Sequence, residues 1–177
     1  MTISTTPTIA TGTYVIDAVS SSVTFEARHI FGLGPVQCSF AIRDGSIRVA
    51  AEPAESSVDA TLDAASFVTN NPKRDKDIRS KRFLDVTRYP DITFAGTIRG
   101  IHADGGCRLV GNLRVRDTTS PITFHVTDIV PDAVGPASGF RATATARIDR
   151  FAAGVRARGP VAKYVDVRLA VVAVPAR

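Results

Sequence analysis

Residues 66–94, SFVTNNPKRDKDIRSKRFLDVTRYPDITF, carry the clearest structural signal, because they join two alternating apolar runs through a basic, proline-containing segment. Asn71 is placed to cap a helix, and Pro72 stands at the first helical position, where its missing N–H costs nothing. Beyond this helix, Tyr89-Pro90 forces an extended restart of the chain. The segment therefore predicts strand, one short crossover helix near 72–84, turn and strand.

The charges of the predicted helix are ordered by sign. Asp75 and Asp77 fall in the first turn, and Arg79, Lys81 and Arg82 fall in the last, which complements the helix dipole. Asp75/Arg79 and Asp77/Lys81 are four residues apart with the acid first, the favourable order for ion pairs along a helix. On pattern alone, the segment is a surface helix that covers one end of a sheet.

The same segment resembles the signature of the YceI-like family, which runs approximately S-x-x-T-x-x-x-x-R-D-x-x-L-R-S-x-x-F-x-D-x-x-x-Y-P-x-I-x-F. Ile78 occupies the Leu place, and the matching residues are Ser66, Thr69, Arg74, Asp75, Arg79, Ser80, Phe83, Asp85, Tyr89, Pro90, Ile92 and Phe94. The similarity extends over all but the first dozen residues. It implies a lipocalin-like β-barrel that holds a long polyisoprenoid, such as an isoprenoid quinone or a prenyl pyrophosphate, in an apolar interior.

Composition agrees with a mainly β protein of one domain. The 177 residues contain no linker or break in composition, and no other segment shows convincing helical periodicity. We expect a flexible segment at 1–12 and a single antiparallel lipocalin-like barrel at 13–175. The N-terminal stretch has neither a basic cluster nor an apolar run, which predicts a cytoplasmic protein.

Alternation along the predicted strands separates an apolar face from a polar one. In a barrel, alternate residues of every strand point into one enclosed space. The resulting apolar rows contain almost no charge, so a ligand inside would be long and apolar. The residues expected to line an apolar ligand site are Val23, Phe25, His29, Phe40, Ile42, Leu62, Phe94, Leu113, Phe124, Ala142, Ala144, Ala146, Val167 and Leu169.

The pattern leaves open whether the barrel is filled by side chains or hollow. A barrel of about eight strands can be just filled or can hold one small ligand. A row of alanines on one strand, with Gly96, Gly111 and Ala60 elsewhere on the inward parity, favours a cavity slightly. Small residues can also fit the taper of a barrel, so both interpretations stand.

Polar candidates near the interior are few. His29 is either a rim histidine with ordinary partners or a hydrogen-bond donor to a quinone carbonyl or another headgroup. The chain carries a formal charge of +5 and a pI near 9.7. Arg74, Arg79 and Arg82 are candidates to bind a headgroup or an anionic surface, although a solvated surface also explains such a cluster.

Several other chemistries are not indicated. Cys38 and Cys107 share inward parity, which favours two buried free thiols over the alternative of a disulfide between them. No Cys/His spacing predicts a metal site. No catalytic or nucleotide-binding motif is present, so we expect neither an enzyme nor a cofactor other than a bound polyisoprenoid. Aromatic residues make up 7% of the chain and lie mostly on the inward parity, which leaves few to stack on nucleic acid bases.

The sequence thus predicts a barrel that sequesters or transports an isoprenoid lipid. The alternative is a dry-cored barrel that acts through its basic surface as a stress-related interaction protein. A homodimer and peripheral contact with a membrane are further expectations. They rest on the resemblance and on the charge, respectively.

Overall fold

The computed structural model describes residues 9–29, 34–132, 138–158 and 161–177, without the side chains of Arg28, His29 and Val161. Within this part of the chain lie ten strands and one α-helix. The strands are β1 (Gly12–Ile16), β2 (Ser22–His29), β3 (Val36–Phe40), β4 (Ile42–Val49), β5 (Ser57–Asp63), β6 (Asp91–Ile101), β7 (Cys107–Val115), β8 (Thr118–Pro131), β9 (Phe140–Asp149) and β10 (Val161–Pro175). The helix α1 (Pro72–Arg79) lies between β5 and β6, and 3-10 turns occur at Pro53–Glu55 and Ala64–Ser66.

Eight strands close into an antiparallel barrel. The order is β1-β4-β5-β6-β7-β8-β9-β10, and β1 also pairs with β10, which completes the ring. Strand β10 is long enough to pair with β2 along its first part and with β1 at its end. Strand β3 pairs with β2 and forms a single bridge, Ser39 to Val68, with the crossover. The predicted antiparallel barrel with one short helix is confirmed.

The chain turns a corner between β3 and β4. Ala41 interrupts the pairing, and its backbone N–H donates to the Ser66 hydroxyl oxygen at 2.7 Å. Ile42 therefore begins a new strand, although it has the same parity as Phe40 and the sequence alone would place the two residues on one strand. A register shift after Ile42 then exchanges the inward and outward positions, because a bulge adds one residue to a strand.

The crossover helix is capped as predicted but is shorter. The Asn71 side-chain oxygen accepts from the Arg74 N–H at 3.1 Å, and Pro72 occupies the first turn. The helix ends at Arg79 because Ser80 is extended and its hydroxyl donates to the Asp77 carbonyl at 2.6 Å. Residues 80–84 form turns, so Lys81 and Arg82 are not in the helix.

The predicted ion pairs along the helix do not form. Asp75 is buried, and its carboxylate accepts from the Thr69 N–H at 2.9 Å and the Thr69 hydroxyl at 2.7 Å. Arg79 turns instead to the Phe67 carbonyl, to which its Nε donates at 3.0 Å. Both charges satisfy backbone groups that the loop would otherwise leave unpaired, so they hold residues 67–79 together.

The two ends of the barrel are built differently. We call the end covered by residues 64–90 and 150–158 the helix end, and the end formed by 9–11, 50–56 and 102–106 the opposite end. Residue Ile9 packs beside Tyr14, whose hydroxyl donates to the Ala10 carbonyl at 2.8 Å. The described part of the N-terminal segment thus lies against the barrel. No helix among the described residues has the length and apolar character needed to cross a membrane.

Candidate functional site: an apolar cavity

The barrel encloses a cavity of about 870 Å³, and its wall is mainly apolar. Three inward-facing phenylalanines, Phe25, Phe40 and Phe94, are only partly buried because they border this space. Phe40 makes edge-to-face contacts with Phe25 and Phe67, each with ring centroids 5.3 Å apart. A barrel filled by side chains would bury such rings completely, so the interior is hollow.

Most residues predicted for the site surround this cavity. Those in its wall are Val23, Phe25, Phe40, Ile42, Leu62, Phe94, Leu113, Phe124, Ala142, Ala144, Val167 and Leu169. Ala146 is buried in the main core cluster, one step past the last β8–β9 pair, and is not in the wall. The side chain of His29 lies outside the described residues, so its predicted role stays a prediction.

The small residues differ in what they do. Ala60, Ala142 and Ala144 lie in the cavity wall, as the sequence interpretation required. Gly96 and Gly111 do not, because they face each other across β6 and β7 and the strands approach closely there. A Cβ at Gly96 would lie 2.5 Å from the Phe94 ring, and one at Gly111 would collide with the Ala95 carbonyl oxygen. These glycines therefore serve strand packing, which corrects their use as evidence for a cavity.

Two groups of wall residues were missed by the sequence interpretation. The first is Ile16 of β1 with Ile47 and Val49 of β4, and the inward positions of the two β4 residues follow the register shift in that strand. The second is Phe67, Ile78, Phe83 and Leu84 of the crossover. Their spacing is irregular, so alternation could not reveal them, although four large apolar residues in a basic segment were a usable signal. They show that the crossover closes the barrel as well as covering its surface.

The two ends of the cavity differ in exposure. At the helix end, Phe67, Phe83 and Leu84 of the wall are buried. At the opposite end, Pro53 and Asp104 are exposed and Ile101 is 58% exposed. The cavity is thus closed by apolar side chains under the helix and bordered by accessible residues at the opposite end.

Polar groups at the helix end of the cavity belong to Thr69, Arg74 and Arg150. Arg150 is buried, and its guanidinium donates to the carbonyl oxygens of Val155 at 2.8 Å and Ala162 at 2.9 Å. Burial lowers the pKa of Arg150 from its ordinary value. Thr69 is committed to Asp75. These two side chains therefore hold loops in place.

Arg74 is different. It is partly buried in the cavity wall, and among the described residues its guanidinium has no hydrogen-bond acceptor and no carboxylate within ion-pair distance. A guanidinium offers five donors in a planar fork that suits phosphate or carbonyl oxygens. Arg74 thus has donors available at the helix end of the cavity.

The other two predicted headgroup residues are not in the cavity wall. Arg79 donates to the Phe67 carbonyl, as described above. Arg82 lies over the Phe83 ring, 5.3 Å from its centroid, and donates to the Arg158 carbonyl. Both side chains fix the crossover, and the structure separates them from Arg74.

Cys38 and Cys107 are free thiols in the cavity wall, as predicted. Burial raises the pKa of the Cys38 thiol to about 12, with a further increase from the nearby Asp75 carboxylate. Burial also raises the pKa of Cys107. Both therefore stay protonated and contribute apolar surface to the wall. Among the described residues, no group of three His, Cys, Asp or Glu side chains could hold a metal ion.

The chain is similar to known proteins in sequence and in fold. The YceI-like domain family matches residues 14–173. A UPF0312 protein of Pseudomonas savastanoi pv. phaseolicola is 32% identical over 161 residues, which cover 87% of this chain and 82% of that protein. The UPF0312 protein of Pseudomonas syringae pv. tomato gives the same values.

Two solved structures have the same fold at low identity. Burkholderia cenocepacia BcnA is 21% identical with a TM-score of 0.73, covering 89% of this chain and 98% of that one. A polyisoprenoid binding domain from Saccharophagus degradans, implicated in plant cell wall breakdown, is 13% identical with a TM-score of 0.68, covering 92% and 98%. The family match spans most of the barrel described above, and the chain belongs to the YceI-like family.

Proposed function

We propose that the barrel binds a long isoprenoid lipid, either an isoprenoid quinone or a polyprenyl pyrophosphate, and sequesters or transports it. The observation that carries this proposal is the apolar cavity of about 870 Å³. Each methylene buried there contributes about 0.8 kcal/mol, so an apolar chain gains affinity without specific contacts. The similarity of fold to a polyisoprenoid binding domain supports the same class of ligand.

In this proposal Arg74 binds the polar headgroup, and the chain extends from the helix end toward the opposite end. The acidic side chains of Asp104 and Asp128 border the cavity at the opposite end and would repel an anionic headgroup. The protein acts by binding, without catalysis. The hollow interior counts against a dry-cored barrel, although a role for the basic surface is compatible with a bound lipid. A cytoplasmic location and a homodimer remain expectations.

The first test is native mass spectrometry of the protein purified from its own host, followed by organic extraction and identification of the released molecule. We expect a polyisoprenoid. An apo mass that does not change after incubation with quinones and prenyl phosphates would contradict the proposal.

A second test fills the cavity. Ala144 lies in the wall on β9, so Ala144→Phe should occupy space that the ligand needs and lower affinity at least about tenfold. The cost of overpacking is typically about 1–3 kcal/mol, which a hollow interior should reduce. Titration with a fluorescent prenyl lipid and urea unfolding measure the two effects.

Thr145→Phe is the matched control, because Thr145 follows Ala144 on the same strand and is exposed on the outside of the barrel. It should leave affinity unchanged. If Ala144→Phe does not fold, Ala142→Phe places the ring at a less buried point of the same wall. Folded Ala144→Phe or Ala142→Phe protein that binds lipid like the unmodified protein would rule out the cavity as the site.

A further inference from the structure

Positive charge is concentrated at the helix end of the barrel. Residues 64–90 and 150–163 together carry eleven of the 22 Lys and Arg residues but three of the 17 Asp and Glu residues. The two segments meet where Arg82 donates to the Arg158 carbonyl. The remainder of the chain is therefore net acidic, and the molecule has a strong charge asymmetry along the barrel axis.

The fold increases this asymmetry, because it buries two of the three acids of the crossover and leaves Asp77 exposed. Asp75 and Asp85 are buried, and Asp75 is hydrogen-bonded to Thr69. Asp77 lies 4.0 Å from Arg82. By contrast, Lys73, Lys76 and Lys81 are exposed, and none has an ion pair among the described residues.

Most acids of the neighbouring elements at this end are paired with a cation, whereas the exposed Asp117 of the β7–β8 turn accepts from the hydroxyls of Tyr89 and Thr118. Asp63 and Asp91 both pair with Arg43, at 3.3 and 2.7 Å. Asp149 pairs with Lys163 at 3.1 Å. We call the exposed cations Lys73, Lys76, Lys81, Arg82, Arg156 and Arg158 the basic face. Most of the carboxylates near this face are buried or paired with a cation, so the exposed charge of the face is mainly positive.

We infer that the basic face docks on an anionic lipid bilayer, with the helix end of the cavity toward the membrane. A leaflet containing anionic lipids attracts each nearby Lys or Arg, and the attractions add over a cluster. The position of the face supports a bilayer as the partner, because Arg74 of the same helix lies in the wall of the cavity. The purpose of this orientation rests on the proposed function, since the headgroup end of the cavity, which Phe67, Phe83 and Leu84 close, then lies beside the lipid headgroups of the leaflet.

The test is co-sedimentation with vesicles of phosphatidylcholine, with and without phosphatidylglycerol, at low and moderate salt. The unmodified protein should bind only the vesicles that contain phosphatidylglycerol, and salt should weaken the binding. Combining Lys73→Glu, Lys76→Glu and Lys81→Glu should lower the partition coefficient about 100-fold or more. Reversing Arg108, Arg114 and Arg168 makes the same change of charge on the barrel wall and should have an effect below about threefold.

Failure of this inference can be separated from failure of the proposed function. The lysine variant should bind a prenyl lipid in vesicle-free solution as the unmodified protein does, because none of the three lysines is in the cavity wall. Equal binding to both kinds of vesicle, no binding to either, or full binding by the lysine variant would overturn the docking surface. Salt-sensitive binding to an RNA oligonucleotide in place of vesicles would overturn it as well.

Discussion

At the scale of single residues, three arginines of the crossover have different surroundings. Arg74, Arg79 and Arg82 belong to one basic segment and share its charge, yet only Arg74 lies in the cavity wall. Arg79 and Arg82 donate to backbone carbonyls of Phe67 and Arg158. Of the three, Arg74 therefore has donors available to a ligand in the cavity.

Arg74→Gln should distinguish the two candidate headgroups. Loss of a hydrogen bond to a charged group costs about 1.5–3 kcal/mol, so affinity for a polyprenyl pyrophosphate should fall about 10- to 100-fold. A quinone carbonyl can still accept from the glutamine amide, so quinone affinity should change less than about threefold. Titration calorimetry with both ligands measures the difference.

Arg82→Gln provides the control for Arg74→Gln, because it removes the same charge from the same segment outside the cavity wall. It should leave both affinities unchanged. Equal losses of affinity in the two variants would show that positive charge acts from a distance. Arg74 would then make no direct contact with the headgroup.

Residue alternation predicted the wall well where strands are regular. Val23 and Phe25 on β2, or Val167 and Leu169 on β10, line the cavity as their parity requires. Ile47 could not be assigned in the same way, because the bulge in β4 exchanges inward and outward positions after Ile42. A bulge is a property of strand pairing, and a single strand's sequence does not reveal it.

At the scale of elements, the crossover depends on its buried carboxylate. Asp75→Ala would leave the Thr69 N–H and hydroxyl without their acceptor, in a position where water has little access. Leaving such groups unsatisfied costs about 1–3 kcal/mol each, so we expect the free energy of unfolding to fall by about 2–6 kcal/mol. Urea unfolding gives this value, and faster hydrogen exchange over residues 67–79 would locate the effect.

The neighbouring acid of α1 allows a matched comparison. Asp77→Ala removes the same charge from an exposed position whose nearest cation is 4.0 Å away, and such surface pairs contribute about 0–1 kcal/mol. It should be nearly neutral. If Asp75→Ala is equally mild, the Thr69–Asp75 contact does not hold the crossover.

The start of α1 could be predicted from the sequence, but its end could not. Asn71 and Pro72 form a local start signal, and the structure has the predicted cap. The stop at Arg79 comes from Ser80, whose hydroxyl bonds to the Asp77 carbonyl, and from Asp85, which adopts a positive φ of 50°. Ser and Asp form such local bonds in competition with the helix, and tertiary contacts decide which arrangement forms. The sequence pattern therefore predicted a helix to residue 84, past its observed end at Arg79.

At the scale of the whole molecule, the alternation of apolar and polar residues predicted a barrel but could not show whether the barrel was hollow. The same inward rows are compatible with a filled or an open interior, since both need alternating apolar residues. Whether the barrel is filled or hollow depends on the distance between its opposite strands once β1 pairs with β10. It is visible in the partial exposure of Phe25, Phe40 and Phe94, which have inward positions without complete burial.

The size of the cavity sets a limit on the length of chain that it can hold. With about 30 Å³ for each water-sized group, 870 Å³ accommodates about 29 carbon atoms, or about six five-carbon isoprene units. A longer chain must extend past the opposite end of the barrel, where Pro53 and Ile101 give it only partial cover. Additional units there stay largely in water and gain little.

We therefore expect affinity to rise with chain length up to about six isoprene units and then to level off. Each buried methylene contributes about 0.8 kcal/mol, so even partial burial of one five-carbon unit should increase affinity at least about tenfold within the cavity. A series of prenyl alcohols with one headgroup, titrated by displacement of a fluorescent lipid, measures the profile. A maximum at two units would indicate a smaller site than the cavity. A steady increase to ten units would mean that the chain is covered outside the barrel, for example by a second protomer.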